Sequence, residues 1–270
     1  MLFGISTYLT AQSRLTTAWL EKAQSAGFAR LELFADRLSL DYRDHGQLEE
    51  LGQWFRDSPL RPYALHTPPG ENIAEPDRMR RRTHCDELKR ALEVLELIPC
   101  PYVIQHYGAK DDLFHERRED AAFASLEELN MFARDRGAAI LLENGASELA
   151  APARLLRFLQ ITHLSNGVLF DVGHAHIRGD GIEAGFRTLE PRIRAARVHD
   201  NDGHMDQHLL PQTGQIDWRL VMRLLRAHHR GELVLGASIR DSGLWANPAQ
   251  AAHDALSRLM EIRIRNEEEE

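Results

Sequence analysis

Short apolar runs alternate along this chain with longer segments in which apolar residues recur every three or four positions. The runs LFGIST (2–7), RLELF (30–34), PYALH (62–66), YVIQH (102–106), AILLEN (139–144), GVLFDV (167–172), AARVHD (195–200) and ELVLGA (232–237) have the length and β-branched content of buried strands. Helices are predicted between them, near 15–26, 46–57, 78–97, 117–136, 151–160, 181–189, 217–229 and 247–263. In the third, Leu88, Leu92 and Leu95 form an apolar stripe to lay on a sheet. Eight strands that each carry a helix predict an α/β chain closed into a single (β/α)8 TIM barrel.

Length agrees with that expectation. The chain has 270 residues, and barrels of roughly 250 residues commonly form one domain, so one domain over 1–270 is expected. The tail from 263, ending NEEEE, is expected to fray into solvent. Hydrophobic residues make up 43% and charged residues 27%, with mean hydropathy −0.41, as in ordinary soluble domains. Net charge is −8, which argues against an extended nucleic-acid footprint, because phosphates are gathered by clustered Lys and Arg. The run Arg78, Arg80, Arg81, Arg82 reads as a solvated helix start. Cys85 and Cys100 are the two cysteines, so neither a disulfide framework nor a cysteine zinc site is expected. MLFGISTYLTAQ lacks the pattern of a signal peptide, and no apolar run nears the ~18 residues of a membrane span. A cytoplasmic protein with no membrane partner is expected.

The chemistry-bearing residues fall at the strand ends. His66, His106, Glu143, Asp171 and His199 close the third to seventh strands, and the C-terminal ends of barrel strands converge on one mouth. The following loops add His174 and His176 in FDVGHAH, and Asp206 and His208 in VHDNDGHMDQHLLPQTGQIDW, a stretch with three histidines and four aspartates. Singly, each has a plain reading: a strand-end histidine is usually hydrogen-bonded structure, a carboxylate there caps the next helix, and DNDG is a turn. Together they are hard to assign to packing, because apolar residues would fill those places at lower desolvation cost. Mixed imidazole and carboxylate suit zinc, manganese or iron better than calcium. HERRE at 115–119 is not HExxH, and no G-x-S-x-G elbow, P-loop or G-x-G-x-x-G fingerprint is present.

On LLEN with Glu143, FDVGHAH with Asp171 and His174, VHDNDG with His199, and DQHLLPQTGQIDW with Asp206 and His208, the chain resembles the xylose-isomerase-like TIM barrels, which include sugar phosphate isomerases, epimerases and endonuclease IV. The resemblance implies a core metal on Glu143, Asp171 and His199, a second ion on His66 and His106 with Glu143 bridging, and a third on His174, Asp206 and His208. It therefore implies one to three divalent ions, zinc or manganese foremost, with magnesium or iron as alternatives. Two positions depart from the pattern. Gly236 stands where the eighth strand commonly ends in a metal-binding glutamate, and LLPQTG replaces LPPGxG, with Gln212 or Thr213 where a glycine is expected.

Three functions follow as expectations. The first is a divalent-metal-dependent isomerase or epimerase of a small sugar, sugar phosphate or related hydroxy-carbonyl compound. In it Glu143 and His199 belong to the catalytic centre, with Glu32, Asp202 or His176 as substitute base, and a homodimer is carried as an expectation. The second is an endonuclease IV-type multi-zinc phosphoesterase acting on a phosphodiester, which depends less on a proton-abstracting glutamate. The third is a barrel that binds metal or ligand without catalysis, because a glycine at 236 neither binds metal nor moves a proton. Restoring the glutamate, Gly236→Glu, is expected to tighten metal binding.

Overall fold

A computed structural model describes residues 1–178, 180–228, 234–239 and 246–268, apart from the side chains of 234, 235 and 263–268. Its strands are β1 (Leu2–Ser6), β2 (Arg30–Asp36), β3 (Arg61–His66), β4 (Tyr102–His106), β5 (Ala139–Glu143), β6 (Gly167–Asp171), β7 (Ile193–Val198) and β8 (Val234–Ala237). Each pairs in parallel with its neighbour, and β1 pairs with both β2 and β8, so the sheet closes on itself. A two-residue strand, Leu40–Asp41, pairs in parallel with the last two residues of β2. The chain is therefore a (β/α)8 TIM barrel.

The helices are α1 (Thr17–Ser25), α2 (His45–Asp57), α3 (Arg78–Leu92), the short α4 (Val94–Leu97), α5 (Glu116–Arg134), α6 (Pro152–Ile161), α7 (Val172–Ile177), α8 (Ile182–Leu189), α9 (Trp218–Ala227) and α10 (Pro248–Glu268), and all but α7 fall where the apolar periodicity places them. The expected 78–97 helix breaks at Glu93 into α3 and α4. The single turn α7, on FDVGHAH, is an element that periodicity did not predict. Carboxylates start several helices: Asp77 accepts from Arg80 N at 2.9 Å, and Asp217 from Arg219 N and Leu220 N at 3.0 and 3.1 Å. Such caps satisfy amide groups that have no partner inside the helix. Of the expected elements, residues 232–233 of the last strand, 229 of the seventh expected helix and 269–270 of the tail lie outside the described residues.

Two cores result. The larger packs the outer faces of the strands against the helices. The smaller, with Tyr63, Ile104, Leu141, Leu169 and Ala195, fills the barrel. Successive strand residues alternate faces, so Ile104, Leu141 and Leu169 share the inward face with His106, Glu143 and Asp171, two positions further on. On β7 the same alternation carries Ala195 to Arg197 and then His199. The apolar plug thus supports a polar floor at the C-terminal mouth. Cys85 and Cys100 are free and buried. No helix among the described residues is long and apolar enough to cross a membrane.

Candidate metal centre

The strand-end residues do converge. Ligand atoms come within 4.8 Å of one another in three groups: His66, His106 and Glu143; Glu143, Asp171 and His174; and His174, His199, Asp206 and His208. All eight sequence-predicted metal residues take part. The expected core triad is nevertheless divided, with Glu143 and Asp171 in one group and His199 in another. His199 still meets Asp171, with Nε2 at 3.0 Å from Oδ1.

Two of the histidines, His66 and His208, are held by the nitrogen that faces away from the cluster. His66 Nδ1 donates to the Thr67 carbonyl at 2.7 Å, which turns Nε2 toward Glu143 Oε2 at 3.4 Å. His208 Nδ1 donates to the Ser238 carbonyl at 2.6 Å and presents Nε2 to Asp206 Oδ1 at 3.3 Å. Such outer bonds set the tautomer and aim the lone pair inward, as in metal sites generally. His106 is half exposed, with Nε2 at 3.3 Å from Glu143 Oε2. The His199 and His208 rings stack at 3.9 Å. His199 lies against Gly173, where a Cβ would sit 2.0 Å from its Cε1, so only glycine fits there.

His208 is carried by a loop hung on one carboxylate. Asp200, fully buried, accepts from Asn201 N at 2.9 Å and Ile216 N at 3.1 Å on Oδ1, and from Gln212 N at 2.9 Å and Trp218 Nε1 at 2.7 Å on Oδ2. Its backbone bridges Leu209. The loop thus folds back over the mouth, and His208 and Gln212 adopt φ of +51° and +73°, a region that few non-glycine residues enter. The departure from LPPGxG therefore rests on Gln212, not Thr213: the glycine of that pattern relieves a left-handed backbone.

Sequence reading missed Arg197. Its guanidinium, 3% exposed, lies 2.6 Å from Glu143 Oε1, 2.9 Å from Glu32 Oε2 and 3.7 Å from Asp171 Oδ2. Alternation along AARVHD would have placed Arg197 on the same face as His199, yet a single arginine in an apolar strand run carries no metal signature. Glu32 is 1% exposed and engaged on both oxygens: Ser6 Oγ donates to Oε1 at 2.8 Å, and Tyr63 Oη to Oε2 at 3.2 Å beside Arg197. The structure thus puts Glu32 under the floor, holding Arg197. Of the other suggested bases, His176 bonds Asn201 Oδ1 through Nδ1 at 2.7 Å, and Asp202 accepts from His204 N and Met205 N. Neither joins the clusters.

Charge is tuned accordingly. Burial alone would raise the Glu143 carboxyl, but Arg197 and His106 outweigh it and hold it well below the usual range. Burial would likewise lower His174, yet Asp171, Asp206 and Glu143 hold it well above its ordinary value. His66 and His199 are pushed down, chiefly by burial, toward the neutral form that binds metal. Three buried atoms, Glu143 Oε2, His199 Nδ1 and Asp206 Oδ1, make no hydrogen bond among the described residues. Orphaned buried atoms are costly, and two of the residues concerned, Glu143 and Asp206, line a mouth cavity together with His106, Gly108, Lys110 and His174. The donor set fits a divalent transition ion.

A family model described as xylose isomerase-like TIM barrel matches residues 20–262. Among curated proteins, the chain is 26% identical over 176 residues to the uncharacterized protein y4fM of Sinorhizobium fredii, covering 62% of this chain and 55% of that one. It is 26% identical over 237 residues to the uncharacterized protein MJ1311 of Methanocaldococcus jannaschii, covering 84% and 80%. The match thus spans little more than half the length of the first relative. Among solved structures, a D-tagatose 3-epimerase-like protein superposes with TM-score 0.80 at 22% identity over the full length of both chains. An IolI protein with a bound zinc atom gives 0.80 at 20%, covering 96% and 98%. The 3-keto-D-glucoside 4-epimerase YcjR of E. coli gives 0.70 at 19%, covering 97% and 99%. At such identities the likeness shows the fold.

Proposed function

The chain belongs to the xylose isomerase-like TIM-barrel family, and on that premise we propose that it is a divalent-metal-dependent isomerase or epimerase of a small sugar, sugar phosphate or related hydroxy-carbonyl compound. One observation carries the reading: His174, His199, Asp206 and His208 offer four ligand atoms to one point beside a cavity floored by Glu143. An ion bound there supplies Lewis-acid polarisation of a carbonyl.

The chain's own residues supply the rest. Glu143 Oε2, without a hydrogen bond among the described residues and flanked by His66 Nε2 and His106 Nε2, belongs to a residue that lines the cavity and serves as the proton acceptor. His106, half exposed, can pass a proton between it and solvent. Arg197 and Glu32 position Glu143 from beneath, so Glu32 serves as a positioning residue and not as the base. Sugar epimerases among the structural neighbours support this class.

The test follows solvent deuterium into the carbon next to the carbonyl, by NMR, in ketoses and ketose phosphates incubated with zinc- or manganese-loaded protein in D2O. Exchange that chelator abolishes and metal restores supports the proposal; no exchange across the panel overturns it. A second reading, a phosphodiester hydrolase, is favoured by the separate group His66, His106 and Glu143, which could hold another ion. Metal-dependent hydrolysis of bis-p-nitrophenyl phosphate without deuterium exchange would select it.

A further inference from the structure

The three ligand groups are not equivalent. In the middle one, the facing atoms are already engaged: Glu143 Oε1 by Arg197 at 2.6 Å, Asp171 Oδ1 by His174 N at 2.7 Å and His199 Nε2 at 3.0 Å, and His174 Nδ1 by the Asn144 carbonyl at 3.0 Å. Among the ligand residues, the atoms without a hydrogen bond fall in the flanking groups, with Glu143 Oε2 on one side and His199 Nδ1 and Asp206 Oδ1 on the other, while Arg197 Nε between them also lacks one among the described residues. Among the described residues, Arg197 is the buried lysine or arginine, and three buried carboxylates face it. A divalent ion between Glu143 and Asp171 would sit against a fixed positive charge and compete for the same oxygens.

We propose that Arg197 is a resident cation of the barrel: its guanidinium takes the central place between Glu143, Glu32 and Asp171 and confines divalent ions to the two flanking groups. Gly236 fits this assignment. It pairs with Arg197 across β7 and β8, and a Cβ there would lie 2.6 Å from Tyr63 Oη, the hydroxyl that helps fix Glu32. A central ion would want a further carboxylate; a central guanidinium needs none, since Glu143 and Glu32 already accept from its two terminal nitrogens at 2.6 and 2.9 Å and Asp171 adds a third negative charge at 3.7 Å. The wild-type chain therefore holds at most two ions. The inference rests on the metal-dependent reading above.

The experiment counts metal. Wild type, Arg197→Met and Arg197→Lys are stripped with chelator, dialysed against excess zinc, desalted and measured by elemental analysis, and melted with and without zinc. Arg197→Met is expected to bind one ion more per chain than wild type and to gain more in melting temperature from zinc, because three buried carboxylates lose their cation. Arg197→Lys keeps the charge and should keep the wild-type count. Should Arg197→Met fail to fold even with zinc, Arg197→Met combined with Glu32→Gln removes one carboxylate with the cation, and the same extra ion is expected. Three ions in wild type, or no extra ion in the Arg197→Met backgrounds, would overturn the proposal. A wild type that binds no zinc overturns the metal-dependent reading itself, which separates the two failures.

Discussion

The loop that delivers His208 and Asp206 hangs on Asp200, so Asp200→Ala should unfasten half of the candidate metal centre without touching a candidate ligand. Asp200 is fully buried and accepts four hydrogen bonds, from Asn201 N, Gln212 N, Ile216 N and Trp218 Nε1. A hydrogen bond to a charged group is worth roughly 1.5–3 kcal/mol, but truncation lets the loop relax and water enter, so the four do not add. A loss of about 3–5 kcal/mol is the expected scale for removing a buried charged partner. At about 2–4 °C per kcal/mol for chains of this size, that lowers the melting temperature by roughly 6–20 °C. Asp200→Asn keeps one oxygen acceptor and should lose about half as much. Calorimetry measures the melting, and zinc titration measures the centre: affinity at the His174, His199, Asp206 and His208 group should fall by at least ~10-fold, the usual effect of losing an outer support. A variant that melts within a degree of wild type and binds zinc equally well would refute the idea that this carboxylate sets the loop.

Other substitutions probe separate points of the same geometry. Gly173→Ala places a methyl 2.0 Å from His199 Cε1, so it should displace that ring, cost about 1–3 kcal/mol in overpacking and weaken zinc binding, read by melting and titration. Gln212→Gly relieves a φ of +73° and should stabilise by up to about 1 kcal/mol; a lower melting temperature would show that the Gln212 side chain matters more than the backbone. Gly236→Glu alone should not add an ion, because the new carboxylate meets Tyr63 and pairs with Arg197; an ion gained in the single variant, counted by elemental analysis, would contradict this.

The barrel was legible because its signals are local. Buried strands such as YVIQH and AILLEN show as apolar runs, and the strand ends at His66, His106, Glu143 and Asp171 fall within a residue of the expected positions. The convergence of the candidate ligand residues was equally legible, since a strand that ends in a histidine or carboxylate announces it in one letter. The plain reading of Asp171 as a cap is met directly, through His174 N at 2.7 Å, and the same carboxylate contacts His199 at 3.0 Å. What stayed hidden is the identity of neighbours across strands. Gly236 alone reads as a loss and Arg197 alone as an arginine in a strand; only the register that sets them side by side on β8 and β7 makes the glycine intelligible. With a guanidinium 2.6 Å from Glu143, a carboxylate at 236 would crowd Tyr63 while adding a fourth negative charge to a floor that Arg197 already serves. Charge therefore links Gly236 to Arg197: what the eighth strand lacks in a carboxylate, the seventh answers with a cation, and the proposed chemistry of the mouth moves outward to the flanking groups.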